Sequence, residues 1–256
     1  MAIKISVGLQ KGGVGKSTTT SISAHLLSKT HRILAIDFDP QGNLTKILTQ
    51  KSIYEFTGQT IYEAISENNA APYIYHVKEN LDLIPAEDVL SSLPNKLGKL
   101  YTKRSDQLKA LKRLIEPIEG NYDFILIDLP PMTGDWTLCG LVASDFVVIA
   151  LQTDPLAFEA LEKYLETIEL VKEEINEELR LAGILPGMYN KMLTMDNTVL
   201  DQVRKDFGEL VFNTVIPLRT RIKEFSFEGI QEVTPVDKRV LEPYDDFIKE
   251  LLDRVR

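Results

Sequence analysis

A glycine-rich segment near the start of the chain, followed by a lysine and hydroxyl residues, has the composition of a phosphate-binding loop. The segment reads Lys11-Gly12-Gly13-Val14-Gly15-Lys16-Ser17-Thr18. Glycines permit backbone conformations that let several N–H groups converge on one anion. A helix that begins near Lys16 adds unpaired N–H groups and a partial positive charge. We therefore expect a nucleotide here, with Lys16 neutralising its β- and γ-phosphates and Ser17 ligating Mg²⁺.

The loop differs from the common pattern G-x-x-x-x-G-K-[ST] at its first position. Gln10 replaces the first glycine, and Lys11 follows it. Two interpretations of Lys11 stay open: a solvated surface charge, or a second ligand for phosphate. A glycine-rich turn without a ligand is the alternative for the whole segment, but its place between a predicted strand and a predicted helix favours the nucleotide.

Three aspartates follow apolar runs of the kind that form buried strands. Asp37 and Asp128 each end such a run, and Asp39 lies two residues beyond the first. Because the C-terminal ends of parallel strands share the edge of a sheet where ligands bind, we expect the three carboxylates near the phosphate loop. Asp128 is predicted to organise Mg²⁺ through a metal-bound water, with Asp37 beside it and Asp39 facing an attacking water. Taken singly, each aspartate also has an alternative interpretation as a strand-end cap or a turn residue.

Short apolar runs alternate with helical patterns along the chain. The runs that indicate strands are 3–9, 32–37, 124–128, 146–151, 182–189 and 211–217, and the helical patterns are 16–28, 106–115, 155–179, 197–207 and 239–255. Runs this apolar suit a sheet that is covered on both faces. The alternation predicts an α/β fold with a doubly wound, mostly parallel sheet and helices on both faces. Because no linker or repeat interrupts it, we expect a single domain over residues 1–256.

Composition excludes several classes of protein. The 256 residues carry a net charge of −9 and one cysteine, Cys139, so neither a disulfide framework nor a cysteine-based metal cage is expected. The longest apolar runs fall far short of the ~20 residues of a membrane span, and a reducing, cytoplasmic setting is the default. The net negative charge argues against a protein that binds nucleic acid over its whole surface, but it permits local basic clusters. Such clusters occur in 96–113 and in Arg219, Arg221 and Lys223.

Three motifs together resemble those of the ParA/Soj partition ATPases, in the deviant-Walker group that also includes the MinD family. KGGVGKSTTT is similar to the signature loop of that group, DFDPQGN to its second motif, and ILIDLPP to its Walker B segment. Further matches follow at Asn190-Lys191 and Val215-Ile216-Pro217, so the resemblance runs from about residue 3 to the final helix. It implies a P-loop NTPase fold of the deviant Walker A type.

The resemblance also implies a role for each motif residue. Lys11 corresponds to the signature lysine, which reaches the phosphates of the facing subunit when two subunits close on two ATP molecules. Lys16 corresponds to the Walker lysine, and Asp39 to the residue that orients the hydrolytic water. The implied Mg²⁺ site consists of Ser17, Asp37 and Asp128. The implied nucleotide contacts are Lys11, Gly12, Gly13, Val14, Gly15, Lys16, Ser17 and Thr18, with Asn190 and Pro217 at the adenine.

Members of this family bind nonspecific DNA as ATP-bound homodimers, and a ParB-like partner stimulates hydrolysis and releases them. The resemblance therefore implies ATP and Mg²⁺ as cofactors, an ATPase activity, and a cytoplasmic protein that is nucleoid-associated when ATP is bound. The chain begins almost at the first predicted strand, so we expect the short form without an N-terminal helix-turn-helix. No membrane partner is expected.

The predicted DNA contacts are Arg219, Arg221 and Lys223, and Arg204 and Lys205 are further candidates. The family often reads I-P-R-N-V-R-L at this point, whereas this chain reads Ile-Pro-Leu-Arg-Thr-Arg-Ile. Arg221 falls on the second arginine of the family pattern, but Leu218 replaces the first, and Arg219 stands one position later. A solvated basic face is the alternative for this cluster and for the basic segment 96–113.

Two other functions stay open from the sequence. A MinD-like, membrane-associated positioning ATPase needs a basic amphipathic C-terminal helix that lies on lipid. The tail 244–256 carries four acids and three bases, so its attraction to anionic lipid is poor. We therefore expect its apolar stripe to pack on the sheet. The stripe consists of Phe247, Ile248, Leu251, Leu252 and Val255. The other alternative is a metabolic P-loop enzyme, such as a small-molecule kinase or an amide-forming synthetase, although no residue pattern marks an acceptor site.

Overall fold

The computed structural model of the protein describes residues 1–9, 11–131, 134–154 and 156–256, leaving aside the side chains at 156 and 157. Two positions named from the sequence lie outside the described residues. They are Gln10, which replaces the first glycine of the phosphate loop, and Pro155, the predicted start of a long helix.

The sheet of the described residues consists of β1 (Ile3–Gly8), β2 (Ile33–Asp37), β3 (Tyr75–Lys78), β4 (Leu81–Ile84), β5 (Phe124–Asp128), β6 (Phe146–Gln152) and β7 (Arg180–Gly187). The strands lie in the order β3-β4-β2-β5-β1-β6-β7. Neighbours are parallel except β3 and β4, which pair antiparallel at one edge. β2 and β5 are buried at every residue because helices cover both faces. The predicted doubly wound, mostly parallel sheet is confirmed.

The helices of the described residues are α1 (Lys16–Leu27), α2 (Asn43–Thr49), α3 (Ile61–Glu67), α4 (Leu93–Leu100), α5 (Arg104–Leu108), α6 (Ala110–Ile115), α7 (Asp135–Val142), α8 (Leu156–Glu174), α9 (Thr194–Phe207), α10 (Thr220–Glu228) and α11 (Pro235–Arg254). α1 contacts β1, β2 and β5 on one side, and α2 and α11 also pack against it. The start of α1, where the phosphate loop ends, is therefore anchored in the packed centre of the protein.

The segment 211–217, predicted as a strand, does not form one. Two isolated bridges, at Val211 and Pro217, join it to the sheet. Between them the main-chain N–H of Asn213 donates a hydrogen bond to the Glu250 carboxylate of α11 (2.9 Å). The prediction is wrong because pairing with β7 is interrupted. The main-chain N–H groups of Phe212 and Ile216 still donate to the carbonyls of β7, but those of Asn213 and Thr214 donate to the Glu250 side chain of α11.

Other differences from the sequence prediction concern short elements. The helix predicted over 106–115 is divided into α5 and α6 at Lys109, whose ψ of 3° departs from helical geometry. α8 ends at Glu174, five residues before the predicted end. The sequence patterns missed α2, α3, α4, α7, α10, β3 and β4. Each has at most nine residues, too few for a hydrophobic period to identify it.

The apolar stripe of α11 packs inward, as predicted. Phe247, Leu251 and Val255 are buried in the main hydrophobic core, and Leu252 packs against it. The stripe therefore contributes to the fold instead of forming a free surface. No helix among the described residues has the length and apolar composition needed to cross a membrane.

Tyr164 of α8 packs directly against the end of β1. Its side chain is buried, and its hydroxyl has no hydrogen-bond partner among the described residues. A Cβ at Gly8 would lie 1.9 Å from the hydroxyl oxygen and 2.7 Å from Cζ of the ring. Glycine at position 8 therefore makes room for the phenol just before the phosphate loop.

We expect Gly8→Ala to destabilise the fold because the added methyl group overlaps the Tyr164 phenol. The free energy of unfolding in urea should fall by about 1–3 kcal/mol. The double variant Gly8→Ala/Tyr164→Leu removes the overlapping atoms, so its cost should be smaller than the sum of the two single costs. Strictly additive costs would show that this overlap does not control the packing.

Candidate nucleotide-binding site

The phosphate loop joins the C-terminal end of β1 to the start of α1, at the centre of the sheet. Gly13 and Gly15 have φ angles of 77° and 88°, in the left-handed region that glycine adopts without the strain of a side chain. Gly15 immediately precedes the first turn of α1, so its conformation sets the angle between loop and helix. The main-chain N–H groups of the loop and of the helix start therefore offer a site for an anion.

Lys16, the first residue of α1, is the buried cation of this site. Only 6% of its surface is exposed, and its ammonium donates a hydrogen bond to the carbonyl oxygen of Lys11 (2.8 Å). Burial lowers the pKa of Lys16, while the carboxylates of Asp128 and Asp39 act in the opposite direction. The ammonium thus lies between the loop and the acidic strand ends, where a cation can neutralise a bound phosphate.

Asp37 and Asp128 end adjacent strands and stand opposite each other in the sheet register. Oδ2 of Asp37 accepts hydrogen bonds from the main-chain nitrogen and the hydroxyl of Thr45, both at 2.7 Å. Asp37 therefore fixes the first turn of α2. Oδ1 of Asp128 accepts a long hydrogen bond from the Thr20 hydroxyl (3.4 Å), and its Oδ2 has no hydrogen-bond partner among the described residues.

Burial is the largest cause of a raised pKa at both of these carboxyl groups. It raises the pKa of Asp37 to about 7, against the hydrogen bonds from Thr45. It raises the pKa of Asp128 well above the usual value, and the charge of Asp37 adds to this effect. A cation that approached these strand ends would stabilise both groups in their charged form.

The residues at this edge fit Mg²⁺ that binds together with a nucleotide. The unpaired Oδ2 of Asp128 is a hard oxygen acceptor, and the nearby Ser17 side chain acts against the rise in the pKa of the same carboxyl group. Among the described residues, no group of three or more histidine, cysteine or acidic side chains would hold a metal ion by itself. The ion would therefore rest on Ser17 and phosphate oxygens, with Asp128 acting through metal-bound water.

Asp39 differs from the other two aspartates because it lines an open cleft of about 530 Å³. Its Oδ1 accepts a hydrogen bond from the main-chain nitrogen of Gln41 (2.9 Å). The phosphate-loop residues 12–18 form much of the remaining wall. Loop, Lys16 and Asp39 thus surround one space, which we call the phosphate cleft.

A second, mainly apolar cavity of about 280 Å³ adjoins the phosphate cleft. Val14, Gly15, Met188 and Phe227 line both spaces. Other walls of the smaller cavity come from Ile216, Pro217, Ile222 and Tyr244. An apolar space of this size beside a phosphate loop suits a flat base, so the two spaces together match a nucleotide. We call the smaller one the base cavity.

The remaining predicted nucleotide contacts, Pro217, Asn190 and Lys11, differ in where they lie relative to the phosphate cleft and the base cavity. Pro217 lines the base cavity. Asn190 is not among the described residues that line either space, and its side-chain oxygen accepts a hydrogen bond from the Met192 main chain (3.1 Å). Lys11 is also not among them, since its ammonium forms an ion pair with Asp154. The nucleotide contacts of Asn190 and Lys11 stay predictions.

The three predicted DNA contacts lie at the start of α10. Arg219 and Lys223 are exposed and border the base cavity. Arg221 is only 20% exposed at its side chain and forms ion pairs at 2.7–2.8 Å with Glu224, Glu228 and Asp237. Its guanidinium therefore joins α10 to α11, and its contact with DNA stays a prediction.

Several residues that line the cavities were not identified from the sequence, among them Lys46, Met188, Phe227 and Tyr244. Phe227 is 86% exposed. The one signal for it in the sequence was an aromatic residue within the charged stretch of α10. Tyr244 is indistinguishable there from any apolar residue of the final helix. Lys46 and Met188 come from segments that only the folded sheet brings beside the loop.

Comparison with known proteins places these motifs in a family. A sequence-family model described as an AAA domain matches residues 2–181. The chain is 36% identical over 231 residues, 88% of each chain, to the sporulation initiation inhibitor protein Soj of Bacillus subtilis. The chain belongs to the ParA/Soj family. It is also 35% identical over 223 residues to the chromosome partitioning protein ParA of Myxococcus xanthus, covering 86% of this chain and 77% of that one.

A solved structure resembles this ParA/Soj-family chain over nearly its whole length. It is described as cobyrinic acid a,c-diamide synthase of Mycobacterium smegmatis with a bound ATP analogue and magnesium. Identity is 31% and the TM-score 0.83, with 98% of this chain and 94% of that chain covered. The likeness agrees with the P-loop NTPase fold expected from the sequence.

We expect Asp128→Asn to weaken the effect of Mg²⁺ on nucleotide binding, because the variant lacks the unpaired carboxylate oxygen. The gain in ATP affinity on adding Mg²⁺ should shrink by about tenfold, measured by calorimetry with and without a chelator. Without nucleotide, the unfolding temperature of the parent chain should fall more steeply with rising pH than that of the variant, since burial raises the pKa of Asp128 and an amide does not titrate. Asp246→Asn, at an exposed position of α11, is the matched control. An undiminished Mg²⁺ effect would remove Asp128 from the metal site.

Proposed function

We propose that this ParA/Soj-family chain hydrolyses ATP with Mg²⁺ to drive DNA partition. It closes as an ATP-bound homodimer, holds nonspecific DNA, and releases it when a ParB-like partner stimulates hydrolysis. Its proposed location is the cytoplasm, on the nucleoid when ATP is bound. The observation that carries the proposal is the phosphate cleft, where the loop, Lys16 and Asp39 surround one space beside an apolar base cavity.

The residues of the cleft have separate tasks in the proposed reaction. Loop N–H groups and the Lys16 ammonium bind the β- and γ-phosphates, which is where phosphoryl transfer needs positive charge. Mg²⁺, when bound, neutralises further phosphate charge. Asp39 orients a water molecule toward the terminal phosphate, and the Gln41 N–H holds its carboxylate. Asp37 keeps α2 in place through Thr45, so the turn that carries Asp39 stays rigid.

The homodimer depends on Lys11. Its ammonium pairs with Asp154 on the loop after β6 and is part-exposed. A part-exposed ion pair is weak, so a triphosphate on a second copy is a competitive partner for the ammonium. Two copies facing each other would each offer Lys11 to the other's nucleotide. Nucleotide binding and dimer closure are therefore coupled in this proposal.

Asp39→Ala should bind ATP and form the dimer, yet lose ATP turnover by about a hundredfold or more, because the water loses its orienting carboxylate. Phosphate release measures turnover, and light scattering with a non-hydrolysable ATP analogue measures the dimer. Asp246→Ala, on the exposed face of α11, should behave as the parent chain.

Turnover that is unchanged in Asp39→Ala would remove that residue from catalysis. A parent chain that stays monomeric at high concentration with the analogue would overturn the dimer itself.

The proposed DNA surface consists of two exposed cations, Arg219 just before α10 and Lys223 within it. Because these residues border the base cavity, nucleotide occupancy and DNA contact meet on one helix. One such cluster binds DNA weakly, whereas two held in a closed dimer act at a high effective concentration. DNA binding then follows the nucleotide state of the protein.

Arg219→Gln/Lys223→Gln should weaken DNA binding by about tenfold and flatten its dependence on salt, since fewer phosphates are neutralised. Fluorescence anisotropy with the ATP analogue at several salt concentrations measures both quantities. Lys249→Gln, an exposed cation of α11, is the matched control. Light scattering must show the dimer in each variant. Parent-like DNA affinity with an intact dimer would move the DNA surface elsewhere.

Amide formation is a second candidate because one similar solved structure is described as a diamide synthase. The Soj and ParA relatives share more sequence, at 36% and 35% identity against 31%. ATP consumption that needs an added carboxylic acid and an amine donor would favour the synthetase. Turnover with Mg²⁺–ATP and DNA alone favours the partition ATPase.

A further inference from the structure

Two lysines are among the described residues that line the phosphate cleft, Lys16 and Lys46. Lys16 is the buried cation of the loop. Lys46 lies across the cleft on α2, beside Asp39 and Asn43. Lys11 points instead to Asp154. The cleft of one chain therefore has a second cation that belongs neither to the phosphate loop nor to a partner.

The fold fixes the position of Lys46 through its neighbour Thr45. The Thr45 hydroxyl and main-chain nitrogen both donate to Asp37, and the same hydroxyl accepts a hydrogen bond from the Ala86 main chain (3.0 Å). The first turn of α2 is thus tied to the ends of two strands. Side chains on that turn, including Lys46, are held at a set distance from the loop.

The Lys46 ammonium is only lightly engaged. It donates one hydrogen bond, to the carbonyl oxygen of Gln41 (3.1 Å), and its side chain is exposed to the cleft. Within the described part of the chain, no carboxylate lies within ion-pair distance of it. An ammonium with a single neutral acceptor gains from exchange onto a phosphate, because the anionic phosphate adds a Coulomb attraction that the carbonyl lacks.

The charges around the cleft favour a second cation. Asp39 lines the cleft, Asp37 and Asp128 stand at the neighbouring strand ends, and the charges of Asp128 and Asp39 act on the buried Lys16. A triphosphate adds more negative charge than a diphosphate to the cleft. The extra charge lies at the end of the phosphate chain, which must reach toward Asp39 if Asp39 orients the attacking water. Lys46 lines the wall next to Asp39.

We propose that Lys46 binds the terminal phosphate of ATP in the same chain and so makes the cleft discriminate ATP from ADP. The inference deepens the proposed ATPase function and rests on it. In this role Lys46 releases the Gln41 carbonyl when a triphosphate enters, and returns to it after the terminal phosphate leaves. The cleft then distinguishes the two nucleotides before a second copy contributes Lys11.

The test uses Lys46→Gln, whose amide can still donate to the Gln41 carbonyl but carries no charge. Calorimetry with Mg²⁺ measures the dissociation constants of ADP and of a non-hydrolysable ATP analogue. We expect affinity for the analogue to fall about tenfold and affinity for ADP by less than twofold. Lys46→Arg should restore most of the preference. Lys51→Gln, just beyond α2 with its ammonium over the Tyr75 ring, is the matched control and should match the parent chain.

Dimer closure would also favour the ATP analogue, so the measurement is repeated in a Lys11→Ala background. If Lys46→Gln still lowers the preference for the analogue in this background, the result supports binding within one chain. If Lys46→Gln has no effect on the preference there, the proposal is overturned. Equal losses for both nucleotides, or no loss for either, would also overturn the role of Lys46. A parent chain that binds neither nucleotide would instead contradict the proposed function.

Discussion

Charge balance at the C-terminal ends of β2 and β5 is the constraint on which the site depends. Asp37 and Asp128 stand opposite each other, buried, and burial raises the pKa of both. Lys16 is the buried lysine among the described residues that faces them. A site with this balance favours a ligand that brings its own cation along with its anionic groups. Mg²⁺–ATP is such a ligand, whereas a bare phosphate would add to the acidic side.

The same strand ends also build the local fold. Asp37 uses one oxygen for the main chain and hydroxyl of Thr45, and thereby begins α2. Asp39 holds the turn before that helix through the Gln41 nitrogen and, by its own carbonyl, through the Gly42 nitrogen (2.9 Å). A motif of a few residues therefore supplies both the carboxylate that is proposed to orient water and the frame that positions it. A substitution at Asp37 would disturb structure and chemistry together.

The sequence allowed the central part of this site to be predicted because strong local signals coincide there. Apolar runs that end in Asp37 and Asp128 fix two strand ends, and the glycine-rich loop fixes a third. The base cavity lacked such signals. Its walls come from β7, the segment after it, α10 and α11, and no sequence period relates residues so far apart. The strand predicted at 211–217 fails for a similar reason, since the Glu250 side chain that interrupts its pairing with β7 lies over thirty residues away in the sequence.

Lys11 and Arg221, whose motif positions assign them to external ligands, are both bound to carboxylates of their own chain. The free energy needed to separate each cation from its carboxylates differs between the two. Lys11 forms an ion pair with Asp154, and both side chains are part-exposed, so water can solvate Asp154 if the lysine leaves. Arg221 joins three carboxylates, and one of them, Asp237, is buried and also caps the start of α11. Removing the guanidinium would leave that carboxylate buried without its cation. Exchange onto a phosphate is therefore easier for Lys11 than for Arg221, so Lys11 suits a nucleotide-dependent contact and Arg221 suits the joint between α10 and α11.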